Sequence, residues 1–150
     1  MIIEFDDREG KAVEGMMLLV DEKIVMMRKR LEEGDYVNGD VCIERKEIND
    51  FCNSIMDGRM DKQIEKMKKK YKYSYVIIVG KMKDRIVEIH ENCVLGMISK
   101  LCVNGISVGM VDDEFQFFYL MKRIFERHKE IEDKKYINKQ VKKIEDANEY

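Results

Sequence analysis

The sequence has no proline, no closely spaced pair of cysteines and no long apolar run. Its cysteines lie far apart, at Cys42, Cys52, Cys93 and Cys102. Neither a zinc site nor a disulfide framework is therefore predicted, and we expect reduced, mostly buried thiols in an intracellular protein. No apolar stretch approaches the roughly 20 residues that cross a bilayer, and the first ten residues carry acids where a secretory signal carries bases. We expect a soluble cytoplasmic protein, nuclear if the source is a eukaryote, without membrane contact.

The overall net charge of the chain does not indicate a nucleic-acid partner. The formal net charge is -2, whereas phosphate binding usually leaves a basic footprint on a domain. The charge is unevenly distributed, however, because residues 59–72 contain seven basic and two acidic side chains, a local charge of +5. This segment predicts either a cationic binding face or an ordinary solvated face of a lysine-rich helix.

Hydrophobic periodicity predicts an α/β domain. At 150 residues and 45% hydrophobic content, the chain is long enough for one domain with its own core. The predicted strands are 1–5, 23–27, 39–46, 75–80 and 106–111, and the predicted helices are 11–19, 47–57, 59–71, 91–104 and one that begins at the Asp112/Asp113 cap. This order indicates a mixed sheet flanked by helices. Residues 1–130 are predicted as the domain, and residues 131–150, rich in Lys and Glu, as a helical extension or a partly disordered tail.

The third predicted strand carries side chains suited to chemistry. Alternation places Glu44 and Lys46 on one side of this strand, opposite Val41 and Ile43. Glu44 can bind a metal ion, and Lys46 can orient a water molecule or stabilise the negative charge that develops during phosphodiester hydrolysis. This is the spacing of the PD-(D/E)xK nuclease core, in which metal-held carboxylates support phosphodiester hydrolysis. The alternative is a surface cluster of salt bridges.

Two further acids lie where they could join this pair. Asp35 precedes the third predicted strand in the segment EEGDY, and an adjacent strand or loop can bring it beside Glu44. Asp6 lies at the end of the first predicted strand and could complete an acidic cluster. We therefore expect these acids to gather at one edge of the sheet.

Four segments of the sequence, taken together, resemble a known family. They are FDDRE at 5–9, EGDY at 33–36, CIERKEIND at 42–50 and SIMDGRMDKQ at 54–63. In this order and spacing they resemble the nuclease domain of the XPF family, its archaeal Hef-like members included. The resemblance covers most of residues 1–129. It implies a restriction-endonuclease-like fold, with a central mixed sheet flanked by helices.

The resemblance implies an endonuclease that depends on Mg²⁺, with Mn²⁺ as a substitute, and that cleaves flapped, forked or branched DNA during repair or replication-fork processing. It implies Asp35 and Glu44 as metal ligands and Lys46 as the catalytic lysine. Asp6 and Asp50 are then acidic members of the metal site, and Arg8, Glu9 and Arg45 support its charge or geometry. For Asp6, Glu9 and Arg45 the alternative is ordinary structural ion pairing. DNA contact is predicted for Arg59, Gln63, Lys66 and Lys69.

The last predicted helix suggests a partner. Its apolar stripe consists of Phe117, Leu120, Met121, Ile124 and Phe125, and further aromatic side chains at Phe115, Phe118 and Tyr119 widen the apolar surface beyond one face. A helix that is apolar on more than one side needs a second surface to cover it. The resemblance implies a homodimer or heterodimer through the region 112–129. The alternative is a helix deeply buried in its own monomer.

The sequence also departs from the family pattern. VDDEFQFF stands where the family usually has a Ser/Thr-Pro start and a Thr-Ala pair. Family members commonly continue into a tandem helix-hairpin-helix module that grips DNA, which this sequence lacks, so a separate DNA-gripping subunit is one expectation. The alternative functions are a non-catalytic DNA-binding scaffold subunit of an XPF-type complex and a sequence-specific restriction-type endonuclease. The intact ERK motif argues against the scaffold.

Overall fold

The computed structural model describes residues 1–148, and within them one six-stranded sheet lies between helices. The strands are β1 (Ile2–Asp6), β2 (Val25–Lys29), β3 (Tyr36–Asn38), β4 (Val41–Glu47), β5 (Tyr73–Val79) and β6 (Ile106–Val111). The helices are α1 (Val13–Val20), α2 (Ile48–Met56), α3 (Arg59–Lys70), α4 (Glu91–Val103) and α5 (Glu114–Ala147), with a 3-10 turn at Met82–Asp84. The predicted α/β class, a mixed sheet flanked by helices, is confirmed.

The sheet brings most strand ends to one edge. Its order is β2-β1-β3-β4-β5-β6. The pairs β1/β2, β4/β5 and β5/β6 are parallel, whereas β3 is antiparallel to both of its neighbours. Every strand except β3 therefore points the same way. In sheets of this kind, ligands bind beyond the carboxyl ends of the parallel strands.

Two hydrophobic cores hold the sheet between its helices. On one face, α2, α3 and α4 pack against the strands, and on the other face α1 and α5 do so. Strand β4 contributes to both cores, because Cys42 faces the first and Ile43 faces the second, and both side chains are fully buried. The predicted alternation along this strand is confirmed. It puts Glu44 and Lys46 on the side of α2 and α3.

The turn from β4 into α2 and α3 follows from local capping. Glu47 ends β4 and accepts hydrogen bonds from the backbone N–H groups of Asn49 and Asp50, which caps the first turn of α2. Gly58 then adopts φ +80 between α2 and α3, a conformation that glycine adopts without steric cost. Helix α3 then packs on the same face of the sheet as Cys42, and its Gln63 contacts Lys46 of β4.

Helix α5 is deeply buried along one side and keeps exposed aromatic side chains near its start. Phe117, Met121 and Phe125 are fully buried, and Phe118, which we expected to widen the apolar surface beyond one face, is buried as well. Phe115 and Tyr119 remain about half exposed, at 52% and 51%. The helix continues without interruption to Ala147, so the described part of the tail is helical, and residues 149 and 150 lie outside the described residues.

Two details differ from the sequence predictions. Strand β3 was not predicted, because a three-residue strand is too short to show a period. Only two of the four cysteines are buried, Cys42 and Cys52, while Cys93 and Cys102 are exposed, and all four are free thiols. Among residues 1–148 no helix is both long and apolar enough to cross a membrane.

Replacement of Gly80 by alanine should destabilise the protein. Gly80 has φ +116, and an added Cβ would lie 2.7 Å from Cγ2 of Ile48. We expect the free energy of unfolding to fall by about 1–3 kcal/mol. Gly96, exposed within α4, meets no such contact, and Gly96→Ala should raise stability by about 1 kcal/mol. Urea unfolding measures the stability of both variants. A Gly80→Ala protein as stable as the parent would contradict the close contact at Gly80.

Candidate metal centre and substrate cleft

A cleft of about 490 Å³ opens at the carboxyl edge of the sheet, between β1, β4 and α3. Its charged lining comprises Asp6, Glu9, Glu32, Glu33, Asp35 and Glu44, together with Arg8, Arg59, Lys62 and Lys66. The acids come from the strands and their connecting loops, whereas three of the four bases come from α3. The cleft is therefore acidic at the sheet edge and basic along one rim. Such an arrangement suits a cation at the floor and a polyanion above it.

Backbone contacts fix Asp35 between β1 and β4. Its carbonyl oxygen accepts from the N–H of Asp6 at 2.9 Å, and its own N–H donates to the carbonyl oxygen of Ile43 at 3.1 Å. Its carboxylate accepts from the N–H of Arg45 at 2.7 Å. Asp35 thus extends the backbone hydrogen bonding of the sheet by one residue before β3 begins. Its position is set by the sheet, although it precedes a strand only three residues long.

Gly34 allows the chain to reach this position. It has φ +80, and a Cβ at this residue would overlap Sγ of Cys42. Glycine avoids both the backbone strain and the collision. The GD pair therefore has a physical basis: the glycine passes over the buried thiol so that Asp35 can face the cleft.

Asp35 and Glu44 form the centre of the acidic floor. Burial raises the pKa of Asp35 well above its usual range, and the neighbouring carboxylates of Glu44 and Glu9 raise it further. Burial likewise raises the pKa of Glu44, against the opposing effect of Lys46. Desolvated carboxylates in contact hold unfavourable charge, which a cation would relieve. The sequence analysis expected an adjacent strand or loop to bring Asp35 beside Glu44, and the structure brings both side chains to this cleft.

The donor set fits a hard divalent cation. Carboxylate oxygens from Asp35, Glu44 and Glu9 are the ligands that Mg²⁺ and Mn²⁺ prefer. Within residues 1–148, no three acidic, histidine or cysteine side chains already stand in complete ligand geometry. Two carboxylates plus water and substrate oxygens are sufficient for Mg²⁺, which usually retains several waters. The chemistry of the donors therefore agrees with the predicted metal site.

Lys46 lies beside this pair as predicted. It projects on the same side of β4 as Glu44 and is only 8% exposed. Its Nζ donates to Oε1 of Gln63 on α3 at 3.1 Å. A buried ammonium is restrained by such a contact. Gln63, which we predicted to contact DNA, lines the cleft and also holds the lysine.

Asp6 already has partners for both of its oxygens. Oδ2 accepts from Arg8 Nε at 2.7 Å, and Oδ1 accepts from the N–H of Leu31 at 3.1 Å. Burial acts to raise the pKa of Asp6, but the hydrogen bonds from Arg8 and Leu31 prevail and the pKa is lowered. The structural ion pair that we considered as the alternative is present. A role for Asp6 as a metal ligand stays a prediction.

Arg45 and Asp50 do not line the cleft. Arg45 projects to the opposite face of the sheet, where it pairs with Glu114 of α5 and lies 5.9 Å from the ring centroid of Phe117. Asp50 is exposed in the first turn of α2. The structure therefore does not bring these two side chains to Glu44, and their predicted catalytic and ligand roles stay predictions.

Most of the predicted DNA contacts share one rim. Arg59, Gln63 and Lys66 line the cleft, whereas Lys69 is exposed farther along α3. Lys62 also lines the cleft, and sequence reasoning missed it although it lies three residues from Arg59 and four from Lys66. Residues at this spacing share a helix face, so the signal was present.

The missed acidic residues lie in the loop before Asp35. Glu32 and Glu33 line the cleft, and each lies near a lysine of α3, with Glu32 3.8 Å from Lys70 and Glu33 3.7 Å from Lys66. No spacing rule pairs this loop with α3, because the two segments are brought together only by the folded chain.

Comparisons with known proteins agree with this geometry. A model of the family described as "ERCC4 domain" matches residues 5–124. The chain is 30% identical over 125 residues to the 3'-flap repair endonuclease Xpf of Saccharolobus solfataricus, an alignment that covers 81% of the chain and 53% of that protein. It is 34% identical over 111 residues to a Methanocaldococcus jannaschii protein named as an ATP-dependent RNA helicase, covering 73% of the chain and 14% of that protein. The chain thus spans about half of the first relative.

Solved structures show the same fold. XPF from Aeropyrum pernix in complex with DNA superimposes with a TM-score of 0.73 at 22% identity, covering 85% of the chain and 64% of that structure. XPF from the same organism superimposes with a TM-score of 0.69 at 22% identity, covering 85% and 66%. The family match, the motifs at the cleft and this fold lead to one conclusion: the chain belongs to the XPF family of nuclease domains.

Proposed function

We propose that the protein is a structure-specific DNA endonuclease that uses Mg²⁺, with Mn²⁺ as a substitute, to cleave the backbone at flaps, forks or branched junctions. The observation that carries this proposal is that the desolvated carboxyl groups of Asp35 and Glu44 line one cleft, each close enough to shift the pKa of the other, beside the restrained ammonium of Lys46. Strongly perturbed carboxyl groups in a cleft are typical of a functional site. Repair or replication-fork processing is the setting in which such an activity acts.

The side chains divide the chemistry among them. Asp35 and Glu44 would hold the metal ion, and a bound ion supplies a water of lowered pKa and neutralises charge on the scissile phosphate. Lys46, fixed by Gln63, donates to a phosphate oxygen or orients the attacking water. Because its ammonium is restrained before substrate arrives, little reorganisation is needed when negative charge develops.

Two relatives support DNA as the substrate. One is named a 3'-flap repair endonuclease, and one solved structure of similar fold is a complex with DNA. The rim formed by Arg59, Lys62 and Lys66 supports the same substrate, because cationic side chains beside an acidic floor can hold the phosphates that flank the scissile one. A separate DNA-gripping subunit stays a prediction.

Substitution at the acidic floor should abolish cleavage without unfolding the protein. We expect Glu44→Gln and Asp35→Asn to lower the rate on an end-labelled flap by about 100-fold or more, since each removes a charge that stabilises the reaction. Cleavage by the parent should require Mg²⁺ or Mn²⁺, stop in EDTA and occur near the junction.

The control is Asp84→Asn, an exposed acid in the 3-10 turn outside the cleft, which should cleave as the parent does. Equal cleavage rates for the parent and Glu44→Gln would contradict the proposed mechanism. Binding to the flap without cleavage under every metal condition would instead favour the non-catalytic scaffold. Cleavage that depended on base sequence would favour a restriction-type enzyme.

The basic rim should contribute to affinity through phosphate contacts. We expect the double variant Lys62→Ala/Lys66→Ala to bind flap DNA more weakly in EDTA and to reduce the slope of log affinity against log salt by about 2, one per lysine. Lys139→Ala/Lys142→Ala, on the exposed end of α5, should keep the parental slope. Fluorescence anisotropy at several salt concentrations measures both, and equal slopes would remove the rim from the interface.

We also propose that a second copy of the chain covers the surface beside β6. This strand is one of the two edges of the sheet, and exposed apolar side chains on β6, on α4 and in the first turns of α5 include Leu95, Val103, Met110, Phe115 and Tyr119. A surface of this kind beside an open edge marks an interaction site. The family resemblance supports a homodimer as its occupant, with a related subunit as the alternative.

A charge placed on this surface should separate the copies. We expect Tyr119→Arg to raise the dimer dissociation constant at least about tenfold, because a desolvated charge opposes association. Tyr136→Arg is the matched control, since Tyr136 is another exposed tyrosine on α5 and lies beyond residue 129. Sedimentation equilibrium gives both constants. If only Tyr136→Arg separates the copies, the interface lies at the end of α5 and not beside β6. If the parent protein is a monomer, the proposed dimer is wrong.

A further inference from the structure

We propose that Tyr36 is a positioning residue for the metal centre, because its buried hydroxyl holds the carboxylate of Glu9 beside Asp35. This inference rests on the proposed metal-dependent function. The Tyr36 hydroxyl donates to Oε2 of Glu9 at 3.2 Å. The contact joins the buried strand β3 to the loop that follows β1.

The tyrosine ring is fixed by the core. Tyr36 is 1% exposed, and its backbone lies between β1 and β4, opposite Phe5 and Ile43. Its ring lies 5.4 Å from that of Phe117 and 6.1 Å from that of Phe118, measured between centroids. A ring held in this way has little rotational freedom. The position of its hydroxyl is therefore set by the sheet and α5 and does not depend on the loop that carries Glu9.

Glu9 needs such a contact. It lies on the loop between β1 and α1, where its N–H donates to the carbonyl oxygen of Asp6 at 3.0 Å. Its side chain lines the same cleft as those of Asp35 and Glu44, and carboxylates that share one site repel each other when they are ionised. Without a restraint, repulsion favours rotation of Glu9 away from the cleft.

Space for that rotation exists behind the site. Glu9 lines the metal cleft and also a second cavity of about 300 Å³ on the side of α1 and α5. Tyr36 and Arg45 line this second cavity. The side chain of Glu9 therefore stands at the boundary between the two spaces. The hydrogen bond from Tyr36 to Oε2 keeps it there, so that Oε1 is the oxygen that would bind the ion.

Mn²⁺ binding in the absence of DNA tests the proposal without using catalysis as the readout. We expect Tyr36→Phe, which keeps the ring and removes only the hydroxyl, to raise the Kd for Mn²⁺ about tenfold by calorimetry, the usual effect of losing a partner of a ligand. Tyr75→Phe is the matched control. Its hydroxyl bonds His128 at 2.6 Å, far from the cleft, and its loss should leave the Kd unchanged.

A double-mutant cycle separates positioning from a general structural effect. If Tyr36 acts through Glu9, then Tyr36→Phe should add nothing to the loss caused by Glu9→Gln. Equal Kd values for Tyr36→Phe and Tyr75→Phe, or fully additive losses with Glu9→Gln, would overturn the proposal. If Tyr36→Phe fails to fold, Glu9→Asp takes its place, because the shorter side chain breaks the same hydrogen bond. A parental Kd for Mn²⁺ in Glu9→Asp would also contradict the positioning role of Tyr36.

The same titrations distinguish this inference from the proposed function. Asp35→Asn and Glu44→Gln should each lose Mn²⁺ binding at the cleft. If both retain parental affinity, the metal site itself is wrong. If both lose binding while Tyr36→Phe retains it, only the positioning role of Tyr36 fails.

Discussion

Three hydrogen bonds converge on Asp35, and the geometry of the cleft depends on them. Its backbone joins Asp6 at the end of β1 to Ile43 in the middle of β4, and its carboxylate accepts from the N–H of Arg45. Because one residue links the two strands, it holds the carboxyl end of β1 beside the middle of β4, and β3 begins immediately after it in the antiparallel direction. The side chain that would bind the metal ion is therefore part of the frame of the sheet, which explains why it can be held in a position of unfavourable charge.

The acidic floor opposes folding, and the cores on either side of the sheet offset it. Burial raises the pKa of Asp35 and Glu44, so ionised carboxyl groups there destabilise the folded state relative to the unfolded chain. The penalty is absent at low pH, when both groups are protonated in the folded and the unfolded states, and it grows as the pH rises from their ordinary pKa values to the raised ones. Fully buried side chains such as Phe51 and Phe117, on opposite faces of the sheet, supply the compensating apolar burial. A site of this kind trades stability for affinity towards a cation.

The regular elements were predictable because each displays a period over enough residues. The alternation in β4 and the apolar stripe of α2 both had the length to do so, and with them came the pairing of Glu44 and Lys46. The ion pair between Arg45 and Glu114 joins residues 69 positions apart, and no local pattern encodes it. Arg45 alternates with Glu44 along β4, so it had to face the other side of the sheet, a consequence that the family motif alone did not reveal. Tyr36 was overlooked because its strand is three residues long.

The position of Gly34 also limits how this protein can vary. Two independent conditions act on it: the backbone has the handedness that favours glycine, and the thiol of Cys42 fills the space that a side chain would need. Replacing Cys42 with a smaller residue removes only the second condition, so it does not open position 34 to other amino acids. A smaller residue at position 42 therefore does not permit a side chain at position 34, whereas glycine at position 34 leaves room for other residues at position 42. A library that randomises both should recover diversity at 42 while glycine persists at 34.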